Sequence, residues 1–355
     1  MIIKKHFFTG ILFCVSITAN SQAPKYSNEF LSIGVGGRSM GMSGAVAGTV
    51  NDATSAFWNP AGLTGIKGDV QVSAMHAELF AGISKFDYAT LATHIDSSRA
   101  IGFSIIRFGT DEIPNTLELI DASGAIDYSK VKSFSIADYA FIFSYSKDTK
   151  IAGLHLGGNA KIIHRKAGEF GKAWGFGFDL GAQYSTGHWR LGAMAKDVTS
   201  TFNAWSFNTD LLETAFAQTG NEIPKNSTEI TLPKIILGAG YQFDISKKVT
   251  GLIEADADLT FDGKRNVLIS SDPISADPHF GLEVGYNDFI FLRAGMQNIQ
   301  NIKNLDGTVS KTIQPNLGLG IRLGRLTIDY ALTNIGQETL YSNVFSLRFD
   351  IYKHK

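Results

Sequence analysis

The sequence predicts an all-β fold: a 14-stranded antiparallel transmembrane β-barrel preceded by an N-terminal hatch segment. Three observations lead there. The chain starts like an exported protein yet has no later apolar run long enough for a spanning helix. Its strands alternate between one apolar face and one small or polar face. Its connections are tight at every second position and mostly long in between.

Composition sets the bounds. The 355 residues are 44% hydrophobic with a formal net charge of -1. That leaves no basic surplus for nucleic acid and no acidic run for a disordered tail. Gly at 37 and Phe at 25, with Pro at only 8, suit strands and tight turns better than helices. The start, MIIKKHFFTGILFCVSITANSQA, reads as a signal peptide over 1–21. Lys4, Lys5 and His6 lead, an apolar core runs from Phe7 to Ala19, and Ala19-Asn20-Ser21 supplies the small residues for cleavage before Gln22. Phe13 ahead of Cys14 argues against lipidation. The only cysteine then leaves with the signal, so neither disulfides nor thiol chemistry is expected. No later run reaches the ~18 apolar residues of a membrane helix. An exported chain of this kind is a soluble periplasmic protein or an outer-membrane barrel.

The strands decide between them. Candidates lie near 69–78, 86–94, 100–110, 137–147, 151–165, 173–185, 188–197, 231–245, 248–260, 277–286, 289–297, 312–323, 325–333 and 341–352. In the sixth, Trp174, Phe176, Phe178, Leu180, Ala182 and Tyr184 share one parity. Gly175, Gly177, Asp179, Gly181 and Gln183 share the other. The eighth places Ile235, Leu237, Ala239, Tyr241 and Phe243 opposite Lys234, Gly238, Gly240 and Gln242. The last places Phe345, Leu347, Phe349 and Ile351 opposite Ser346, Arg348 and Asp350. Sandwich strands alternate too, so the turns carry the decision. Tight links at 96–98, 147–150, 186–187, 246–247, 287–288 and 324 interleave with longer ones such as 111–136, 198–230, 261–276 and 298–311. That is the order of a membrane barrel with short periplasmic turns and long external loops. Residues 151–165 and 231–245 are long enough to project beyond the bilayer. The loop 198–230, with Phe202, Trp205, Phe207 and Phe216, is expected to pack on itself at the surface. A fold over the barrel mouth and a partner contact are its alternatives.

No catalytic set emerges. Gly37-Arg38-Ser39-Met40-Gly41 has the G-x-S-x-G spacing of a hydrolase elbow but lacks the strand–turn–helix context that the motif needs. Gly34, Gly36, Gly37 and Gly41 do not complete a dinucleotide fingerprint. Glu254, Asp256 and Asp258 share a strand face ahead of Asp262-Gly263, which invites calcium. An EF-hand would need Gly where Leu259 stands, and alternation assigns the acids to the lumen. The lumen charges are then Asp179, Arg190, Glu254, Asp256, Asp258, Glu283, Arg293, Arg322 and Arg348, joined by Lys196, Asp329 and Asp350. Mixed signs suit pairing across a polar interior better than an ion-selective ring. The histidines at 155, 164, 188 and 279 have no ligand spacing. No enzyme activity, metal or cofactor is expected.

A barrel this wide must be filled or it conducts water. Residues 22–67 have no place among the strands, and barrel residues run from 68 to 355. The Gly, Ala and Ser content of 22–67 allows close packing, and Asn59-Pro60 breaks any helix, so the segment reads as a hatch. Within it, NEFLSIGVGGRSMGMSGAVAGTVNDATSAFWNPAGL (28–63) resembles the N-terminal signature of the PorV/PorQ family of Bacteroidetes outer-membrane proteins, relatives of the FadL-like fourteen-stranded barrels. The resemblance rests on Gly37 and Arg38, Gly41, Met42 and Gly44, Asn51 and Asp52, and the hatch motif Trp58, Asn59, Pro60, Ala61 and Gly62. It implies an integral outer-membrane protein, in contact with lipid, that binds the type IX secretion translocon or the C-terminal domain of its cargo. FadL relatives imply the alternative, a channel that takes up hydrophobic small molecules through a lateral opening. Asn59-Pro60-Ala61 is expected to fix a turn in the lumen, with Trp58 anchoring it against the barrel. The ending Lys353-His354-Lys355 departs from the terminal aromatic common in barrels.

Overall fold

The computed structural model describes residues 27–120, 123–219, 222, 227–304, 306–334 and 341–352. The signal segment, residues 22–26 and the terminal Lys353-His354-Lys355 lie outside them. The wall is one closed antiparallel sheet. Its strands are β1 (Val70–Leu79), β2 (Ser84–Asp96), β3 (Arg99–Asn115), β4 (Lys132–Asp148), β5 (Leu154–Ala167), β6 (Gly171–Thr186) and β7 (Trp189–Lys196). After the short β8 (Thr201–Phe207) and β9 (Ser227–Thr231) come β10 (Lys234–Ser246), β11 (Val249–Thr260), β12 (Ser275–Tyr286), β13 (Ile290–Lys303), β14 (Val309–Leu323), β15 (Leu326–Asn334) and β16 (Tyr341–Ile351). β16 closes on β1 from Val70↔Ile351 to Glu78↔Asn343. Fourteen strands therefore surround the lumen, as the alternation predicts, and β8 and β9 extend two of them.

Side-chain parity gives the barrel its solvent. On β6, Trp174 and Leu180 are 53% and 59% exposed on the outside, whereas Asp179 between them is 3% exposed. An apolar outer face and a polar interior is the membrane-barrel pattern, and the inverse of a water-filled surface. No described helix is long and apolar enough to cross a membrane. β1 begins and β16 ends at the tight-turn end, whereas Ser27 of the hatch bonds Glu229 and Thr231 at the long-loop end. At the β12–β13 turn both Asn287 and Asp288 have positive φ, +53° and +52°. They are the central residues of a turn closed by Phe289 N on the Tyr286 carbonyl at 3.0 Å, and positive φ at both matches the twist of the flanking strands.

The segment read as the loop 198–230 departs from expectation, because it contains β8, the helix α3 (Thr209–Thr219) and β9. β8 continues along the β6 edge that β7 leaves. Its parity is Thr201, Asn203, Trp205 and Phe207 against Phe202, Ala204 and Ser206, which never separates apolar from polar. Several other links are shorter than expected because strands run on. β3 reaches Asn115, β4 starts at Lys132, and β13 and β14 approach each other at Lys303 and Val309.

Residues 27–67 fill the lumen. They carry two short helices, α1 (Gly37–Gly41) and α2 (Ser55–Trp58), and two 3-10 turns, Glu29–Ser32 and Pro60–Gly65. α2 stops at Trp58 because Asn59, placed before Pro60, is extended at φ −160°, ψ 105°.

Candidate functional site

The hatch meets the wall backbone to backbone. A Cβ on Gly157 of β5 would lie 2.4 Å from the Pro60 carbonyl carbon, and one on Gly181 of β6 would lie 2.2 Å from Asn59 Oδ1. On β7, a Cβ on Gly192 would meet the Ala47 carbonyl oxygen at 2.2 Å. A Cβ on Gly41 of the hatch would lie 2.8 Å from Gly318 Cα of β14, and one on Gly37 2.9 Å from the Asp329 main chain of β15. Met42 is fully buried with Val46, Val50 and Leu252. Gly62 has room for no side chain because the Val50 carbonyl faces it.

Polar bonds then fix the seat. Asn59 is fully buried. Its Nδ2 donates to Ala47 O at 2.9 Å and to Ala182 O of β6 at 3.0 Å, and its Oδ1 accepts from Ala61 N at 3.2 Å. Asn159 donates to Ala56 O at 2.9 Å, Ser146 Oγ to Ala61 O at 2.9 Å, and Gln183 to Val50 O at 2.9 Å. Trp58 packs against clusters that include the wall residues Met75, Tyr88 and Leu252. Its Nε1 donates to Val35 O at 2.8 Å, and its ring covers Gly34 and Gly44, so its polar bond holds the hatch to itself. The motif's hydrogen bonds to the wall come from the Asn59 amide and the Ala61 carbonyl.

The acidic strand belongs to the same seat. Asp256 Oδ2 accepts from Val46 N and Ala47 N, both at 2.9 Å. Glu254 accepts from Gly48 N at 2.7 Å and from Thr49 Oγ1. These carboxylates satisfy a hatch turn that has no helical partners for its N–H groups. No cluster of metal-ligating side chains occurs among the described residues. Asp258 pairs with Lys234 at 2.7 Å. Asp179 pairs at 2.7 Å with Lys161, which also reaches Asp197.

Toward the short-turn end, Arg38 binds Glu283 at 3.0 Å. Glu283 also takes Arg293 at 2.6 Å, and Arg293 reaches Asp329 at 2.7 Å. Asp52 pairs with Arg348, Arg322 with Asp288, and Arg190 donates to the Gly187 and Trp189 carbonyls. Asn51 is exposed there. Burial works against the Asp52 carboxylate, but Arg348 and the Thr54 hydroxyl outweigh it and hold its pKa below the ordinary 3.8. Burial likewise opposes the Arg38 cation, and Glu283 more than compensates, raising its pKa. Ser39 is buried in the five-residue α1, without the strand–turn–helix geometry of a nucleophile elbow.

Across the hatch, toward the long loops, lies a cavity of about 430 Å³. Leu31, Ile33, Met40, Phe57 and Trp58 line its hatch side, and Asp258, Asp277, His279, Asn316 and Asn334 its wall side. Lys196 stands at its edge, its Nζ 4.3 Å from the Phe57 ring centre and with no ion pair among the described residues. A smaller cavity, about 100 Å³, shares Phe57 and Lys196 and runs to Asp197, Leu232 and Pro233.

At that point the wall ladder slips register, with Val198 N still donating to Phe178 O at 2.9 Å. Between the pairs Leu180↔Ala195 and Phe176↔Phe202, β6 uses residues 177–179, whereas the facing edge uses 196–201. On its other side, 197–200 face only 232–233 between Lys196↔Lys234 and Thr201↔Thr231. Asp197 and Ser200 take positive φ, +55° and +57°, a backbone that non-glycine residues adopt at a cost and that tends to mark functional positions. Sequence inspection placed Lys196 in the lumen but gave no sign of this surplus, because Pro233 and Gly177 are far from it along the chain.

No protein-family profile matches the chain, and no curated protein matches it in sequence. Solved structures do match its fold. The Pseudomonas putida toluene transporter TodX is 15% identical, with 90% of this chain and 99% of that chain covered at a TM-score of 0.57. The Ralstonia pickettii toluene transporter TbuX is 13% identical, with 90% and 99% covered at 0.53. A Pseudomonas aeruginosa FadL homologue is 13% identical, with 88% and 98% covered at 0.51. The chain shares the fourteen-stranded, FadL-like barrel fold with these outer-membrane proteins.

Proposed function

We propose that the chain is an outer-membrane channel for hydrophobic small molecules, which enter from the long-loop side and leave sideways through the irregular stretch beside β7. The observation that carries this is the pairing of a partly apolar cavity with an irregular stretch of wall, above a hatch bonded to the wall. A solute resting against Phe57 and Trp58 has a bonded hatch below it and, beside it at 197–200, a stretch of wall held by few ladder bonds. Lys196, without a carboxylate partner, would favour solutes with an anionic or aromatic end. The transport roles of the fold relatives support the same reading.

The test removes Val198–Ser200, the three surplus residues, so that β8 can follow β7 in register along β6. Uptake of a labelled aromatic hydrocarbon or long-chain acid is compared in a deletion strain carrying either form. Wild type is expected to restore uptake, and the shortened form to fold but not transport. Uptake by the shortened form would refute the sideways route, and no effect of the wild type would refute the channel itself.

The signature at 28–63 supports a second reading, a docking platform for type IX secretion, because a fixed hatch suits a platform as well as a plug. Its test is co-purification of translocon or cargo domains from solubilised outer membranes, with secretion measured in a deletion strain. Neither partner nor secretion defect would end that reading.

A further inference from the structure

On the short-turn face of the hatch lies a separate cavity of about 460 Å³, which the proposed route does not use. Arg38 of the hatch and Arg190, Arg293, Arg322 and Arg348 of the wall line it, with Lys67 beside them. The carboxylates that line it are only Asp52, Glu283 and Asp288. Those acids are already committed. Glu283 is divided between Arg38 and Arg293, Asp52 takes Arg348, and Asp288 serves Arg322 with Lys67 at 3.7 Å. Arg190 has main-chain carbonyls alone. Acceptors run short: Arg38 Nη1, Arg322 Nε and Arg348 Nε are buried without a partner among the described residues. Enclosed cations short of acceptors are costly, and the planar guanidinium fork matches the oxygens of phosphate and carboxylate.

We propose that this cavity binds a small polyanion carrying two or more phosphate or carboxylate groups. Its size falls in the range of small-molecule sites, roughly 300–1,000 Å³. It far exceeds the share of a single water, about 30 Å³, so a lone ion would leave it largely empty. Arg190 on β7 and Arg322 on β14 are separated in the wall by β10, β11, β12 and β13. Separate anionic groups on one molecule reach both sides where one group does not. Because Arg38 belongs to the hatch, such a ligand joins hatch to wall and by linkage stabilises the seated hatch. The site is independent of solute passage on the other face.

Pyrophosphate and citrate are titrated separately, by calorimetry, into the full-length protein in detergent at fixed ionic strength. Saturable one-to-one binding of at least one is expected, and which one binds distinguishes phosphate from carboxylate recognition. Arg190→Gln disturbs no ion pair and is expected to weaken binding about tenfold or more, the scale of a lost charged hydrogen bond. Lys85→Gln, on the exposed long-loop half of β2, is expected to change nothing. Binding of neither anion, or binding that Arg190→Gln leaves intact, overturns the proposal. Equal weakening by Lys85→Gln also overturns it, since general charge attraction would then explain the heat.

Discussion

Replacing Asn59 with alanine should loosen the hatch without unfolding the wall, and the size of the effect follows from its shorter hydrogen bonds. The Ala47 carbonyl keeps a second donor, Gln183 Nε2 at 3.0 Å, so losing Asn59 there costs little. The bond to Ala182 O is lost outright, and the buried Ala61 N–H is left without its acceptor. One net hydrogen bond at about 1 kcal/mol plus one orphaned buried donor at about 2 kcal/mol gives roughly 3 kcal/mol. Since about 1.4 kcal/mol is a factor of ten, local opening should become about a hundredfold more frequent. Hydrogen–deuterium exchange of the detergent-solubilised protein reads this directly. Peptides covering 46–62 should exchange about a hundredfold faster, while outward wall strands such as β13 stay unchanged. Acceleration below about fivefold, near 1 kcal/mol, would refute the claim that Asn59 is the link. Asn59→Asp sharpens the test. It keeps an acceptor for Ala61 N but turns oxygen toward two carbonyls, so it should be worse than alanine. A milder aspartate would show that the donor side carries no weight.

Three further outcomes follow from the same geometry. Gly157→Ala places a methyl against the Pro60 main chain, which cannot rotate away; the hatch should lose about 1–3 kcal/mol of seating, seen as faster exchange at 55–62. Asp52 has a depressed folded pKa, so its contribution is fully present above about pH 4 and is lost as pH falls through the folded value. Hatch exchange should therefore accelerate on acidification below about pH 4, and Asp52→Asn should flatten that profile from a less protected start. Because Glu254 and Asp256 already accept hatch hydrogen bonds, calcium or a chelator should leave the thermal unfolding midpoint unchanged, whereas Glu254→Ala should lower it.

Much of the wall was legible because its signal is local. On β6, one residue in two alternates between bilayer and lumen, and thirteen positions suffice to see it. β8 was not legible, since Phe202 faces outward while Trp205 and Phe207 share the inward parity with Thr201 and Asn203. Its strand character comes from the β6 edge rather than from its own pattern. The candidate site divides the same way. Glu254 and Asp256 could be assigned to the lumen by parity, but their partners, the amides of residues 46–48, lie more than 200 positions away. Gly181 reads as a small inward residue, and only the fold shows that Asn59 and Pro60 occupy the space that it and Gly157 leave. Trp58 meets the wall through packing, whereas the shorter Asn59 bonds it, its amide donating to the Ala182 carbonyl while accepting from Ala61 N within the hatch.

The seam between β1 and β16 ties the hatch to the closure of the wall. Ser346 Oγ of β16 accepts from Gly37 N at 2.9 Å, and Arg348 two residues on reaches Asp52. Asp350 takes Gln71, whose side-chain carbonyl in turn receives Ala53 N at 2.6 Å. The hatch is thus gripped along the same line at which the sheet becomes a cylinder. Parting that seam would break hatch bonds together with strand pairs, so the closure of the wall and the seating of its contents are coupled energetically.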